Sequence, residues 1–324
     1  MKRQTVIILL LIMLLPLNIY AYSNKIIVSG ETIGIEVHSN GVYVVGYYEV
    51  NNKLIAKDAG FKIGDIIKEV NNEKVNNINS LNQLITAEKE YKFTIERDSK
   101  FKEINLKLEK EDDLIKTGLY VKDQINGIGT LSYIDPETRI FGSLGHEILE
   151  STSLSKFNIK DGSIYKAEVK SIKKSINGTA GEKQAEYNKN DETGSISKNE
   201  QNGIFGKYLD ELPTDKTYEV GTKDEIKKGP AEIKTVINSN NIETFKIDII
   251  SIDESNTVKN ILFEITDEKL LKSTGGVIQG MSGSPIIQNN KIIGVVNYVI
   301  VNETNKGYGV FITNMLEEGD KLLN

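Results

Sequence analysis

The sequence contains no cysteine and only two histidines, His38 and His146, in 324 residues. The absence of cysteine excludes disulfides, thiolate metal ligands and cysteine nucleophiles together. Two histidines are too few for a multi-histidine zinc centre, so we expect no bound metal and no organic cofactor. A mechanism that needs a histidine base can draw only on these two side chains.

The sequence also lacks a basic block. Its formal net charge is -6, its pI is about 5.3, and lysines are interspersed with acidic residues. Such a charge balance argues against nucleic acid or anionic lipid as the main partner. The 39% hydrophobic and 27% charged residues are typical of a globular protein, and the length suggests two domains.

A short apolar run stands at the N-terminus. Lys2 and Arg3 precede the predominantly apolar residues 5–15, and Ala21 occupies a position typical of a cleavage site. The run is short for a membrane span, which favours a secretory signal, and an uncleaved anchor is the alternative. Residues 1–24 are therefore predicted to export the chain or tether it to a membrane, with the remainder outside the cytoplasm.

Residues 25–112 are predicted to form the first domain. The segment AKDAGFKIGDIIKEVNNEKV resembles the helix-turn-strand signature of PDZ domains in bacterial proteases. In such domains a peptide adds as an extra strand beside a helix. The matching carboxylate loop would contain Ile33, Gly34 and Ile35, unless these residues merely turn the chain. The expected ligand is a substrate, a regulator or a segment of the chain itself.

Residues 115–324 are predicted to form a second, mainly β domain. After the charged patch at 109–113, β-type runs alternate with Gly, Asn and Asp turns, and few long amphipathic helices are present. An all-β barrel or a pair of barrels fits this pattern. The polar segment 175–202 is predicted to form surface loops.

The strongest chemical signal is the segment GMSGSP, which places Ser282 in a Gly-x-Ser-Gly-x-Pro pattern. Gly280 permits a sharp turn, so that the N–H groups of Gly280 and Ser282 can point at one oxyanion. This is the arrangement of chymotrypsin-like proteases, and it differs from Gly-x-Ser-x-Gly because position 284 is serine. The alternative is a Gly/Ser-rich hairpin without chemistry.

A serine nucleophile needs a base and a carboxylate that orients the base. His146, in the segment GSLGHEI, is the candidate base, because His38 lies in the PDZ-like segment. Spacing does not choose the acid from its four candidates, which are Asp248, Asp253, Glu264 and Asp267.

Three long segments together resemble the stage IV sporulation protein B peptidases, which are PDZ-containing serine peptidases of endospore-forming bacteria. They are GIGTLSYIDPETRIFGSLGHEI, SINGTAGEKQAEYNKNDETGSISKN followed by NGIFGK, and FEITDEKLLKSTGGVIQGMSGSPIIQNNKIIGVV. The resemblance implies His146 as base, Ser282 as nucleophile and Asp267 as the triad acid. It also implies export across the forespore membrane, self-cleavage, and cutting of a regulator between the two forespore membranes to trigger activation of a late sigma factor.

The sequence therefore predicts a PDZ domain followed by a chymotrypsin-like double β-barrel serine endopeptidase that acts on proteins or peptides. Its specificity pocket is expected around residues 274–281 and 295–299. Two alternatives stand beside this interpretation. One is a general extracytoplasmic quality-control protease, although such enzymes usually place the protease first. The other is a secreted PDZ scaffold whose protease-like barrel is inactive.

Overall fold

The structure is a computed structural model that describes residues 22–213 and 217–323. Most of the predicted signal segment, residues 1–24, lies outside the described residues. Within the two described ranges, no helix is both long enough and apolar enough to cross a membrane.

Strands make up most of the described chain. In chain order they are β1 (Lys25–Val28), β2 (Thr32–Tyr47), β3 (Ile66–Val70), β4 (Glu73–Lys74), β5 (Glu90–Arg97), β6 (Lys100–Lys107), β7 (Glu109–Glu111), β8 (Leu114–Lys116), β9 (Leu119–Ile134), β10 (Ile140–Ser143), β11 (Ile159–Lys173), β12 (Gly181–Glu200), β13 (Gly203–Tyr208), β14 (Thr217–Val220), β15 (Gly229–Val236), β16 (Ile242–Ile252), β17 (Ile261–Ile265), β18 (Ile278–Gln279), β19 (Pro285–Gln288), β20 (Lys291–Val299) and β21 (Lys306–Phe311). The α-helices are short: α1 (Ile55–Asp58), α2 (Ile78–Leu84), α3 (Glu268–Thr274) and α4 (Ile312–Asp320). A 3-10 turn covers Lys223–Glu225.

The first barrel is a closed cycle of six antiparallel strands in the order β2, β9, β10, β13, β12, β11 and back to β2. Apolar side chains at alternate strand positions fill its interior, as the two-residue period of a strand requires. Ile33, Ile35 and Val37 on β2 pack there with Leu131 and Phe141. Closure removes the free strand edges that an open sheet would expose.

The second barrel has the same construction. Its antiparallel cycle runs β15, β16, β17, β21, β20, β19 and back to β15. Its core is separate from that of the first barrel and includes Ile233, Phe245, Ile247, Phe263 and Ile286. The prediction of a mainly β fold with a chymotrypsin-like pair of barrels is thereby confirmed.

The PDZ unit is inserted into the first barrel. Strands β2 and β9 continue beyond the barrel, and β2 there pairs with β3, which pairs with β5, which pairs with β6. A third apolar core lies between this sheet and the helices α1 and α2, and includes Val44, Ala56, Ile67, Leu81 and Phe93. The PDZ unit and the barrel therefore share two unbroken strands.

The predicted peptide-binding loop is not in the PDZ groove. Ile33, Gly34 and Ile35 lie inside the first barrel, where β2 pairs with β9 on one side and β11 on the other. Both edges of the backbone are occupied, so no peptide strand can add there. The edge that runs beside α2 is instead that of β9 near Asp123, whose carboxylate accepts a hydrogen bond from Ile78 N (2.8 Å).

Two further sequence-based boundaries differ from the structure. Residues 25–39 belong by strand pairing to the first barrel and its flanking strand β1, whereas they were predicted to belong to the PDZ domain. The polar segment 175–202, predicted as loops, contains all of β12, which pairs with β11 and β13. Its side chains are polar because much of this long hairpin faces solvent.

Gly34 offers a test of the barrel assignment. A Cβ on Gly34 would overlap the ring of Tyr187, whereas a Cβ on Gly127, the strand partner of Ile35, has no atom within 4 Å. We expect Gly34→Ala to lower the free energy of unfolding by about 1–3 kcal/mol. Gly127→Ala, with the same change of residue in the same sheet, should stay within about 0.5 kcal/mol of the wild type. Equal unfolding curves in denaturant for both variants would contradict the placement of Gly34 in the barrel.

Candidate active site

His146 stands in a tight turn that follows β10. Leu144 and Gly145 both have left-handed backbone conformations, with φ of 69° and 71°. Left-handed backbone is uncommon for leucine, and it reverses the chain so that the next side chain faces the second barrel. Gly145 is required here because a Cβ would lie 3.1 Å from the Cβ of Asn297 on β20. His146 is thus carried by the first barrel and rests against the second.

The hydrogen bond of His146 defines its tautomer. Nδ1 lies 2.8 Å from the carbonyl oxygen of Glu147. A carbonyl only accepts, so in the neutral ring Nδ1 carries the proton and Nε2 keeps a free lone pair. The imidazole also stacks on Tyr298, with ring centroids 5.4 Å apart. Burial lowers the pKa of His146 below its ordinary value, against the opposing influence of Glu147, so the ring stays neutral and basic at pH 7.

The serine loop, residues 280–284, follows α3 and β18. Ser284 N donates to Met281 O (2.9 Å), which closes the turn around Ser282. Gly280 and Gly283 have φ of 90° and 101°, which only glycine adopts readily. The local chain folds as the sequence pattern predicts.

Ser282 is held from both sides of the barrel interface. Its carbonyl accepts from Thr130 N (2.9 Å) on β9, and its hydroxyl donates to Asn297 O (3.0 Å) on β20. Its own N–H has no hydrogen-bond partner within the described ranges, so this group is available to an oxyanion. In this structure the hydroxyl makes no hydrogen bond with His146.

Asn297 connects the two halves of the site, and sequence reasoning did not identify it. Its side chain is 2% exposed, and its Nδ2 donates to Gly145 O (3.3 Å) and Val258 O (2.6 Å). Its main-chain oxygen accepts from Ser282, so one residue contacts both the histidine turn and the serine loop. The available signal was a single amide in the apolar run KIIGVVNYVIV.

Ser282 and His146 line one cavity of about 580 Å³ at the junction of the two barrels. Gly280 and Ile35 also line it, so Ile35, predicted to belong to the PDZ loop, shares this cavity with Ser282. The remaining wall is mainly apolar: Ile125, Ile128, Leu144, Ile148, Leu149, Val277, Ile278, Tyr298 and Val299. Residues 277–280 and 297–299 fall within the two stretches predicted for the specificity pocket.

Asp267 lies elsewhere. It is the N-cap of α3, where its carboxylate accepts from Leu270 N (3.0 Å) and Lys246 N (3.4 Å). It does not line the cavity, and within the described ranges the contacts of His146 include no carboxylate. The structure therefore brings together the predicted nucleophile and base but not the predicted acid.

The other candidates are also accounted for. His38 is exposed and pairs with Asp161 (2.8 Å), so it is a surface residue. Asp248 lies on β16 and lines a different cavity from that of His146. Asp253 bonds to Ser255, and Glu264 accepts from an asparagine side chain on the second barrel. Between residues 22 and 213 and between 217 and 323, no group of three or more His, Cys, Asp or Glu side chains is arranged to hold a metal.

Two protein families match the chain. Residues 113–316 match the family described as SpoIVB peptidase S55, and residues 32–108 match the PDZ domain family. Among solved structures, the active form of the Rv3671c protease from M. tuberculosis is similar over 61% of this chain and 74% of that chain, at 13% identity and a TM-score of 0.35. The inactive form of that protease is similar over 61% of this chain and 84% of that chain, at 13% identity and a TM-score of 0.34. No match was found among curated proteins.

The position of Asp267 yields a prediction. Asp267→Asn keeps an oxygen that can cap α3, so labelling of Ser282 by a fluorophosphonate should stay within a few fold of the wild type. Asp267→Ala removes the cap and should cost about 1 kcal/mol of stability in denaturant unfolding. A triad acid behaves differently, because its conversion to the amide costs about 10,000-fold in rate. A loss of that size in Asp267→Asn would mean that Asp267 reaches His146 during catalysis.

Proposed function

The chain belongs to the SpoIVB peptidase S55 family and is a serine peptidase with a PDZ domain, and we propose that Ser282 is its nucleophile and His146 its general base. The observation that carries this proposal is the single cavity that contains both side chains, with His146 held in the tautomer that leaves Nε2 unprotonated. The two alternative interpretations, an inactive barrel and a hairpin without chemistry, do not call for a histidine in the same cavity as the serine.

In the proposed reaction, the Ser282 hydroxyl first breaks its hydrogen bond to Asn297 O and donates instead to Nε2 of His146. Such hydrogen bonds are often absent or long before substrate binds. His146 then takes the hydroxyl proton, Oγ attacks the peptide carbonyl, and the N–H groups of Gly280 and Ser282 hold the oxyanion. His146 returns the proton to the leaving amine, and the acyl-enzyme is hydrolysed by water that His146 activates. The carbonyl of Glu147 takes the orienting role that a carboxylate has in a Ser-His-Asp triad.

The lining of the cavity supports a substrate class. Its wall carries apolar side chains from both barrels, and its only acidic member, Glu147, lies beside His146. A charged substrate side chain placed against this apolar wall would lose its hydration. The peptidase therefore cleaves after, or next to, apolar residues of a protein or peptide substrate, while the PDZ domain binds a peptide segment that helps to present it.

Membership of the family also supports a role in sporulation signalling. In this proposal the N-terminal apolar run exports the chain across the forespore membrane and leaves it secreted or anchored there. The protease then trims itself and cuts a regulatory protein between the two forespore membranes, which leads to activation of a late sigma factor. A general quality-control protease is the second candidate, and the order of PDZ unit before serine loop counts against it.

The nucleophile and the base are tested by fluorophosphonate labelling of the full chain. Ser282→Ala should abolish labelling, and His146→Ala should reduce it by at least about 100-fold. His38→Ala is the matched control, because it removes the only other histidine, and it should label like the wild type. Since neutral imidazole is the base and burial lowers its pKa, the wild-type rate should fall only below about pH 6.5 on the acid side.

The same variants test the biological role. In a spore-forming host, wild-type chain should be trimmed and late sigma-factor targets expressed, whereas Ser282→Ala should stay full length with those targets silent. Labelling of Ser282→Ala, or labelling that is unaffected by His146→Ala, would refute the assigned chemistry. Normal sporulation with the Ser282→Ala chain would refute the assigned role and leave the chemistry standing.

Substrate preference is tested with peptides that differ at the residue before the scissile bond. Peptides with Leu or Phe at that position should be cleaved at least about tenfold faster than those with Asp or Lys. The ratio of kcat/KM values measures the preference, and Ser282→Ala provides the background. Equal rates for apolar and charged peptides would show that the cavity is not the specificity pocket.

A further inference from the structure

A buried lysine lies directly behind the serine loop. Lys183 on β12 is 4% exposed. Its Nζ donates to the hydroxyls of Thr32 (3.2 Å), Thr130 (3.3 Å) and Thr235 (2.9 Å). The first two threonines belong to β2 and β9 of the first barrel, and the third belongs to β15 of the second. The ammonium group therefore ties together the two barrels that carry the base and the nucleophile.

Among the residues that the structure describes, no carboxylate contacts the ammonium group of Lys183. On the strands packed around Lys183, Glu182 pairs with Lys173 (3.8 Å), and Lys234 lies over a tyrosine ring. Glu31 precedes β2 and is partly exposed, and the serine loop itself has no titratable side chain apart from its serines. Burial, with no contribution from a charged neighbour, lowers the pKa of Lys183 to about 7. The side chain thus changes charge within the physiological range.

Thr130 connects Lys183 to the serine loop through hydrogen bonds. Its hydroxyl donates to Gly280 O (2.7 Å), and its N–H donates to Ser282 O (2.9 Å). The stem of Lys183 also packs on Gly280, where an added Cβ would lie 3.1 Å from Lys183 carbons. Gly283 lies so close to Thr130 O that a Cβ there would overlap it. The serine loop is therefore held by hydrogen bonds to Thr130 and packs on the side chain of Lys183.

The proton count on Thr130 depends on the charge of Lys183. An ammonium group has three hydrogens and no lone pair, so each of its three threonine partners must accept from it. Thr130 then has only its own proton left to give, and Gly280 O receives it. A neutral amine has a lone pair, which allows the Thr130 hydroxyl to turn towards Nζ and release Gly280. The charged form thus admits one arrangement of the loop, and the neutral form admits two.

We propose that Lys183 is a positioning residue whose charged form holds the serine loop, through Thr130, in the shape that catalysis requires. The proposal rests on Ser282 as the nucleophile. It adds an alkaline limit to the reaction: the His146 base must be neutral and the Lys183 ammonium must be charged at the same time. Activity is then confined to a window between the two titrations.

The test is the rate of fluorophosphonate labelling of the full chain from pH 5 to 9. The wild-type rate should fall about tenfold as the pH rises through about 7. Lys183→Met keeps an unbranched side chain without charge, and it should label about 10–100-fold more slowly at pH 6.5 and show no alkaline limb. Thr130→Val removes the hydroxyl that connects Lys183 to the loop, and it should likewise lose the alkaline limb. Thr193→Val is the control, because Thr193 is a buried threonine of β12 that bonds to Ile164 O, and it should reproduce the wild-type profile.

The outcomes separate this proposal from the proposed function. If Ser282→Ala is labelled, the nucleophile is wrong and both proposals fall. Suppose that Ser282→Ala is not labelled, while a folded Lys183→Met variant keeps the wild-type labelling rate or the wild-type fall in rate at alkaline pH. In that case only the role of Lys183 is overturned. Folding is checked by circular dichroism and cooperative unfolding. If Lys183→Met does not fold, Thr130→Val decides, since a wild-type profile in that variant contradicts the coupling through Thr130.

Discussion

The site depends above all on the hydrogen bonds and packing contacts that hold the serine loop of the second barrel against β9 of the first barrel. Thr130 makes these contacts. Its N–H donates to Ser282 O, its hydroxyl donates to Gly280 O, and its carbonyl packs against Gly283. The proposed base, His146, and the proposed nucleophile, Ser282, come from different barrels, so no local segment fixes their separation. An error of about 1 Å between reacting groups costs on the order of 100-fold in rate. The contacts at Thr130 are therefore the constraint from which the catalytic geometry follows.

The insertion of the PDZ unit connects the PDZ sheet to these contacts at Thr130. The strands β2 and β9 run unbroken from the PDZ sheet into the barrel, and they carry Thr130 and the cavity residue Ile35. The two strands stay paired with each other along this length, apart from register shifts between His38 and Tyr43 and between Val44 and Gly46. A peptide that binds beside α2, at the β9 edge near Asp123, would act on the same strand that seats the serine loop. This continuity makes the PDZ unit part of the catalytic framework, whereas the sequence suggested a separate domain.

What the sequence predicted correctly was local. The turn at Ser282 depends on Gly280 and Gly283, whose conformations are visible in the sequence pattern, and the alternating apolar runs predicted the β architecture. The errors arose from long-range pairing. Gly34 looks like a PDZ loop residue by its neighbours, but its partners on β9 and β11 are far away in sequence. Lys183 was missed for the same reason, because it stands in a polar segment and only its contacts with three distant threonines distinguish it from a solvated lysine.

Within the described ranges, Nδ1 of His146 is hydrogen-bonded to a main-chain carbonyl and not to a carboxylate, which changes the energetics of the proposed base. In a triad the acid fixes the tautomer and stabilises the imidazolium that forms during attack. Here the Glu147 carbonyl fixes the tautomer equally well, because it can only accept. The imidazolium would be stabilised by that carbonyl dipole and by the face of Tyr298, which favours a cation by about 0.5–2 kcal/mol. Both interactions are weaker than an ion pair in a buried site, in agreement with the lowered pKa of His146. A base of this kind gains less driving force for proton transfer, so correct alignment of Ser282 by its seat on Thr130 carries a larger share of the catalytic effect.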